Sequence, residues 1–139
     1  MPDSRSALGG RFAPQAQSLL RIVAAFTFMF PGTMKLYGWP IAMPPGASAA
    51  MFSQVWFAGV LEVFGGALLL LGAFTRPVAF LLSGEMAVAY FQFHQPKGLW
   101  PIQNGGLDAV LYCFLWLYFA AAGAGPWSVD ALLRNGRRR

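Results

Sequence analysis

Charged residues are scarce in this chain, and their scarcity excludes most soluble folds. Only 11% of the 139 residues are Asp, Glu, Lys or Arg, whereas 57% are apolar. A soluble domain carries about 25% charged residues, which help to cover its surface. We therefore expect a solvent other than water for most of this protein's surface.

Cysteine and histidine are almost absent as well. The chain has one cysteine, Cys113, and one histidine, His94, so no disulfide closes within it and no paired-cysteine redox motif exists. We expect no metal, because a stable site needs three or four N, S or O ligands. We also expect no nucleic-acid partner, because the basic residues lie at the ends of apolar runs rather than in an aromatic-interleaved patch.

Long apolar segments are what the chain has in abundance. A bilayer core of about 30 Å needs roughly 20 apolar residues in a helix. Four segments reach that length: residues 16–36, 52–73, 77–95 and 105–123. Proline-rich loops separate them, with a short break at Thr75-Arg76-Pro77, and residues 124–139 form a basic tail. The sequence thus predicts an all-α, polytopic membrane protein, a single four-transmembrane-helix bundle surrounded by membrane lipid.

Positive charges give these helices an orientation. Seven arginines fall on one side of the predicted bundle: Arg5, Arg11, Arg76, Arg134, Arg137, Arg138 and Arg139. Only Lys35 and Lys97 fall on the other. Because cations collect in cytoplasmic loops, we predict that both termini are cytoplasmic. Ser128 is expected to cap a short interfacial helix, and the arginines after it to rest on anionic headgroups.

Acidic residues inside the predicted spans are the first candidates for a site. Glu62, Glu85 and Asp108 lie there, and an ionised group at mid-membrane costs roughly 2.5–3.5 kcal/mol on insertion scales. Glu62 shares a helical face with small residues, including Gly65 and Gly66, which let neighbouring backbones approach. We therefore expect its carboxylate to point into the bundle.

The first helix supplies a matching cation. Arg21, Phe28 and Lys35 recur every seven residues, so we predict an inward stripe that ends in a cation on each side. Lys35 then lies at the depth of Glu62 and is its expected partner. The predicted polar site, on the extracytoplasmic half, consists of Lys35, Glu62, Glu85, His94, Asn104 and Asp108.

Two interpretations of this cluster remain open. In the structural one, Lys35 pairs with Glu62 while Lys97 or His94 pairs with Asp108, and the pairs only hold the helices in register. In the functional one, the same groups bind a ligand or move protons.

Motifs along nearly the whole chain resemble those of the DoxX family. In the first half they are Leu20-Arg21, Gly32 with Lys35, Glu62 with Gly65-Gly66, and Phe74-Thr75-Arg76-Pro77. In the second half they are Gly84-Glu85-Met86, Ala89-Tyr90-Phe91, His94, Pro96, Gly98, Trp100-Pro101, Asn104-Gly105-Gly106, Leu111-Tyr112 and Gly125-Pro126-Trp127-Ser128 with Asp130. Their order and spacing together are specific.

This chain departs from the family pattern at two positions. Pro31 stands where the family often has histidine, and Leu107 stands where it often has glutamate, with the acid following as Asp108. A shift of one residue turns a helix position by about 100°. The resemblance implies a four-helix protein of a bacterial-type inner membrane, with relatives linked to thiosulfate:quinone oxidoreduction and to oxidative-stress complexes.

Three functions follow as hypotheses. The first is a redox-linked membrane subunit, associated with quinone or sulfur-compound oxidoreduction or oxidative-stress defence, that binds quinone between its helices beside a partner oxidoreductase subunit. Whether this chain itself is an enzyme stays open. The second is a non-enzymatic scaffold or assembly partner that anchors a soluble complex by its basic ends. The third is a small transporter that uses Glu62 and Glu85. Each is compatible with a homo-oligomer.

Reporter fusions test the predicted orientation. Fusions after Arg76 and after Arg139 should read as cytoplasmic, and fusions near Pro45 or Gly98 as extracytoplasmic, because of the seven-to-two charge bias. Paired alkaline phosphatase and fluorescent-protein reporters give opposite signals on the two sides. Reversed signals at all four positions would overturn the orientation.

Overall fold

The computed structural model describes the backbone of residues 4–138 and the side chains of residues 10–138. Regular structure within those residues is entirely helical, which confirms the predicted all-α class. The six α-helices are α1 (Ser4–Tyr37), α2 (Gln54–Leu71), α3 (Thr75–Ala89), α4 (Pro101–Asn104), α5 (Leu107–Ala122) and α6 (Val129–Gly136). Arg139 and the side chain of Arg5, both used in the charge bias, lie outside the described residues.

Two of the described helices are long and apolar enough to cross a membrane, Gly10–Tyr37 and Gln54–Leu71. Leu107–Ala122 is apolar but shorter. In the most apolar windows of the two long helices, only 28% and 22% of the residues are buried inside the protein. Phe64, Phe80 and Phe114 are 61–68% exposed. Much of the apolar surface therefore faces outward, as it does when lipid is the solvent.

The boundaries differ from the expected ones in two places. α1 begins at Ser4 instead of near residue 16. The expected bound marked where the apolar run begins, but the helix continues through the more polar residues before that run. The predicted break at Thr75-Arg76-Pro77 is wrong, since these residues form the first turn of α3. The break lies at residues 72–74, where Gly72 and Phe74 have positive φ angles of 68° and 51°. Proline is tolerated in a first helical turn because its missing N–H has no intrahelical partner there.

The helices run alternately between two ends of the bundle. At the Lys35 end, α1 finishes and α2 begins; at the Arg21 end, α2 finishes and α3 begins. The core between them contains Phe28, Leu69, Leu82 and Trp116, each at most 1% exposed. The rings of Phe28 and Trp116 meet edge to face with centroids 5.2 Å apart, a favoured aromatic geometry.

Arg21 is a buried cation that ties the chain together at its own end. Its guanidinium donates to the carbonyls of Leu69 and Leu70, in the last turn of α2, at 2.5 and 2.7 Å. It also donates to the carbonyls of Ala124 and Trp127, beyond α5. Carbonyls at a helix C-terminus lack intrahelical donors and carry partial negative charge. Arg21 thus satisfies acceptors from two parts of the chain at once.

Glycines set the distance between α1 and its neighbour α2. A Cβ on Gly32 would lie 2.8 Å from the Cβ of Glu62, and one on Gly66 would lie 2.5 Å from the Cγ of Met29. Gly65 faces Leu82 of α3, at 3.0 Å from the same hypothetical atom. The prediction that Gly65 and Gly66 lie at close helix contacts is confirmed.

Replacing Gly32 by alanine should lower the free energy of unfolding by about 1–3 kcal/mol, because the new methyl group forces α1 and α2 apart. Gly84→Ala is the matched control, since a Cβ there meets no atom within 4 Å. It should leave stability unchanged or raise it by up to about 1 kcal/mol. Thermal unfolding of both variants in one detergent measures the difference, and equal stabilities would show that the contact at Gly32 is loose.

Candidate functional site

The Lys35 end of the bundle contains a buried ion pair. The ammonium of Lys35 lies 2.6 Å from each carboxylate oxygen of Glu62. The two side chains are only 18% and 4% exposed, respectively. This is the expected Lys35–Glu62 pair, with both carboxylate oxygens engaged by a charged donor.

Local backbone geometry positions Glu62. It lies in a wider, π-helical turn, Leu61–Gly65, within α2. Beside it, Gly59 lets α1 approach, since a Cβ there would lie 3.1 Å from the Cβ of Lys35. π-helical turns occur mostly as single turns inside α-helices and frequently at functional sites. Glu62 therefore combines a buried charge with an irregular backbone.

Glu85 of α3 has no such partner. Among the described residues, neither of its buried carboxyl oxygens has a hydrogen-bond partner. Glu62 and Lys35 are near enough to act on it electrostatically, but Lys35 bonds to Glu62. Burying a carboxyl group without a hydrogen bond is unfavourable. Protonation, or a hydrogen-bond donor from outside the chain, would stabilise Glu85.

Glu85 is one of the residues that line an apolar groove of about 520 Å³ between α2 and α3, and its two carboxyl oxygens are buried beside that groove. The other lining residues are Gln54, Phe57, Ala58, Leu61, Phe80, Leu81, Gly84, Val88, Ala89 and Phe93. Several of them are on the outer surface of the bundle, Phe57 at 51% and Phe80 at 68% exposure. The groove is therefore open on the outward-facing, apolar surface of the bundle. Sites for small lipophilic ligands have this composition, apolar walls with a few polar groups.

A hydrogen bond between two glutamines lies beside this groove. The side-chain amide of Gln54 donates to that of Gln92 at 2.6 Å, joining the start of α2 to the π-helical turn Tyr90–His94 that follows α3. The sequence prediction missed both residues. Both could have been recognised from the sequence, because a side-chain amide within an apolar span needs a hydrogen-bond partner there.

His94 and Asn104 form a separate cluster in the loop before α5. The ring Nδ1 of His94 lies 3.2 Å from the carbonyl of Asn104. The buried side chain of Asn104 donates to the carbonyl of Gly98 at 2.9 Å and accepts from the amide of Gly106 at 2.8 Å. Asn104 thus organises this loop, and its polar atoms are used within the chain.

Asp108 is not part of a buried site, contrary to expectation. It is exposed at the beginning of α5. Within residues 10–138, the ion pairs expected for it with His94 or Lys97 are absent, and Lys97 is exposed. A carboxylate in the first turn of a helix is stabilised by the N-terminal partial charge, so it needs no buried cation. In the described part of the chain, His, Cys, Asp and Glu side chains form no group of three suited to a metal ion.

Comparison with known proteins settles the family. A model of the DoxX family matches residues 16–95, more than half of the chain. This chain belongs to the DoxX family. A relative in Haemophilus influenzae, described as an uncharacterized protein, is 46% identical over 123 residues, which cover 86% of this chain and 92% of that protein. No solved structure matches.

Family membership confirms the predicted resemblance and identifies a membrane protein. The matched region of this DoxX protein contains Lys35, Glu62, Glu85 and His94. It ends before Asn104 and Asp108. The ion pair and the groove therefore lie within the part of the chain that the family model describes.

Removing the charge of Glu62 tests the burial of the ion pair. Glu62→Gln leaves Lys35 without its anion and should cost about 3–5 kcal/mol of unfolding free energy, as does breaking other buried pairs. The double variant Lys35→Met with Glu62→Gln should be less destabilised than either single variant, because no unpaired charge remains. Denaturant unfolding in mixed micelles measures the cycle. Strictly additive losses would indicate that the pair is solvated.

Proposed function

We propose that this protein is a redox-linked membrane subunit that binds a quinone-type carrier in the groove between α2 and α3 and works beside a catalytic partner. The observation that supports it is Glu85, a buried carboxyl group without a partner among the described residues, at the edge of an apolar groove open to the bilayer. A second proposal is that the protein crosses an inner membrane four times with both termini in the cytoplasm.

The chemistry of a quinone suits this groove. Its ring and isoprenoid tail match walls of Phe, Leu and Val side chains, and its oxygens provide what Glu85 lacks. A protonated Glu85 donates to a quinone carbonyl, and an ionised one accepts from a quinol hydroxyl. The groove has a volume of about 520 Å³, within the range of small-molecule sites.

Helix lengths are compatible with four crossings. α3 and the π-helical turn after it run from Thr75 to His94, which gives about 30 Å at 1.5 Å per residue. α5 has 16 residues and is about 24 Å long by the same rule. Local thinning or flanking residues accommodate a mismatch of this size.

The alternative of a scaffold for a soluble complex also rests on an observation. Arg134, Arg137 and Arg138 are exposed on and after α6. A basic surface of this kind attracts acidic partners or anionic lipid. A scaffold, however, gives no reason for an unpartnered carboxyl group at an apolar groove, and we rank it second.

Quinone that co-purifies with the protein tests the proposal. The wild-type protein, isolated from membranes in mild detergent, should carry quinone well above the level of an unrelated membrane protein prepared in parallel. Glu85→Leu should lower that amount to background, because the polar anchor is lost while the apolar walls stay. Asp108→Leu, which alters an exposed acid away from the groove, is the matched control and should retain quinone.

Lipid extraction followed by chromatography and mass spectrometry quantifies quinone per protein. Background quinone in the wild type, or equal amounts in the wild type and Glu85→Leu, would contradict the proposal. A soluble protein captured by a wild type that carries no quinone would favour the scaffold.

A further inference from the structure

A cavity of about 550 Å³ lies at the Arg21 end of the bundle, and Glu85 is not among the residues that line it. It is bounded by α1, the first turn of α3, the segment after α5, and α6. Its charged lining residues are Arg76, Asp130 and Arg134.

Asp130 is fully engaged. Its two carboxylate oxygens accept hydrogen bonds from the backbone amides of Phe74 and Thr75, each at 2.9 Å. Its own amide donates to the carbonyl of Gly72 at 2.9 Å. The carboxylate thus lies on the N-terminus of α3, where the helix dipole favours a negative charge. This contact also fixes α6 to the turn between α2 and α3.

Within the part of the chain that the structure describes, the two arginines have donors that make no hydrogen bond. Arg76 donates through Nη1 to the carbonyls of Ala120 and Ala121, at the end of α5. Its Nε and Nη2, and the whole guanidinium of Arg134, make no hydrogen bond to the described residues. Two planar cations, whose remaining N–H groups have no partner among the described residues, thus line one cavity. Arginine donors in this arrangement match the oxygens of a phosphate.

Apolar side chains lie next to these cations. Leu132 and Leu133 of α6 are 72% and 60% exposed, on the side of the helix away from the buried Ala131. A second cavity, of about 370 Å³, shares Asp130 and Arg134 with the first and is lined also by Arg137 and Arg138. Leu133 also lines this smaller cavity, so an exposed apolar side chain borders the arginines directly. Exposed leucines beside arginines are typical of a segment at the membrane interface.

We propose that the cavity between α3, α5 and α6 binds the phosphate headgroup of an anionic phospholipid from the leaflet at the Arg21 end. Arg76 and Arg134 hold the phosphate, and Leu132 and Leu133 lie among the acyl chains. Charge complementarity carries the choice of ligand, because Asp130 is engaged by α3 while, among the described residues, both arginines keep donors without a partner. The adjoining leucines favour a lipid over a soluble anion.

Native mass spectrometry of the full-length protein tests this, with phosphatidylglycerol, phosphatidylcholine and inorganic phosphate as separate probes. Phosphatidylglycerol should bind the wild type about five-fold more tightly than it binds Arg134→Gln, the factor that corresponds to about 1 kcal/mol for one interfacial arginine. Arg11→Gln removes a cation from the same end that does not line the cavity. It should bind like the wild type. Arg76 is left intact because it also bonds to α5.

Each other outcome is decisive. Equal affinity for phosphatidylcholine would overturn the charge argument. Equal weakening by Arg134→Gln and Arg11→Gln would show diffuse surface attraction instead of a site. Inorganic phosphate that displaces phosphatidylglycerol at equal concentration would point to a soluble phosphorylated ligand and overturn the lipid. A preserved melting temperature of Arg134→Gln confirms that any loss of binding is not a loss of folding.

Discussion

The ion pair of Lys35 and Glu62 is the constraint on which the rest of this site depends. Two charges held at 2.6 Å with little exposure are tolerable in an apolar bundle only as long as both are present. The small residues around them serve this pair: Gly32 and Gly59 let α1 and α2 approach until the ammonium reaches the carboxylate. The π-helical turn Leu61–Gly65 shifts the face of α2 at this point. The glycines, the π-helical turn and the ion pair thus all depend on the close approach of α1 and α2 at this point.

Within the described residues, Lys35 is the only cation near Glu85, and it bonds to Glu62. Glu85 is therefore left without a charged partner among them. The two carboxyl groups come from neighbouring helices but have different surroundings, one with two hydrogen bonds and one with none. The first has an architectural role in the fold. The second is at the edge of an apolar groove and has its hydrogen-bonding capacity free. Glu62 therefore fits the structural interpretation of the acidic cluster, and Glu85 fits the functional one.

How far the sequence predicts this arrangement depends on the kind of partner each residue has. Glu62 and Lys35 were predictable, since both partners are charged side chains on helices whose depth and small-residue faces follow from spacing. Arg21 was recognised as inward-facing, but its partners are backbone carbonyls, which no residue type reveals. Asp108 was misplaced because α5 begins at Leu107 and leaves Asp108 exposed in the first turn, where the helix N-terminus stabilises a carboxylate without a buried cation. The turn at Phe74 was missed because a positive φ is rare for a bulky residue.

The central claim is that a lipophilic carrier occupies the groove beside Glu85, and photolabelling tests it most directly. A photoreactive quinone analogue, activated with the purified protein in lipid nanodiscs and mapped by peptide mass spectrometry, should label groove residues such as Phe57, Val88 and Phe93. Excess unlabelled quinone should suppress this labelling. Leu111 and Phe114, on the outer face of α5, should receive only nonspecific label, which excess unlabelled quinone does not suppress. Label spread evenly over all lipid-facing helices, or suppressible label confined to α5, would contradict the account.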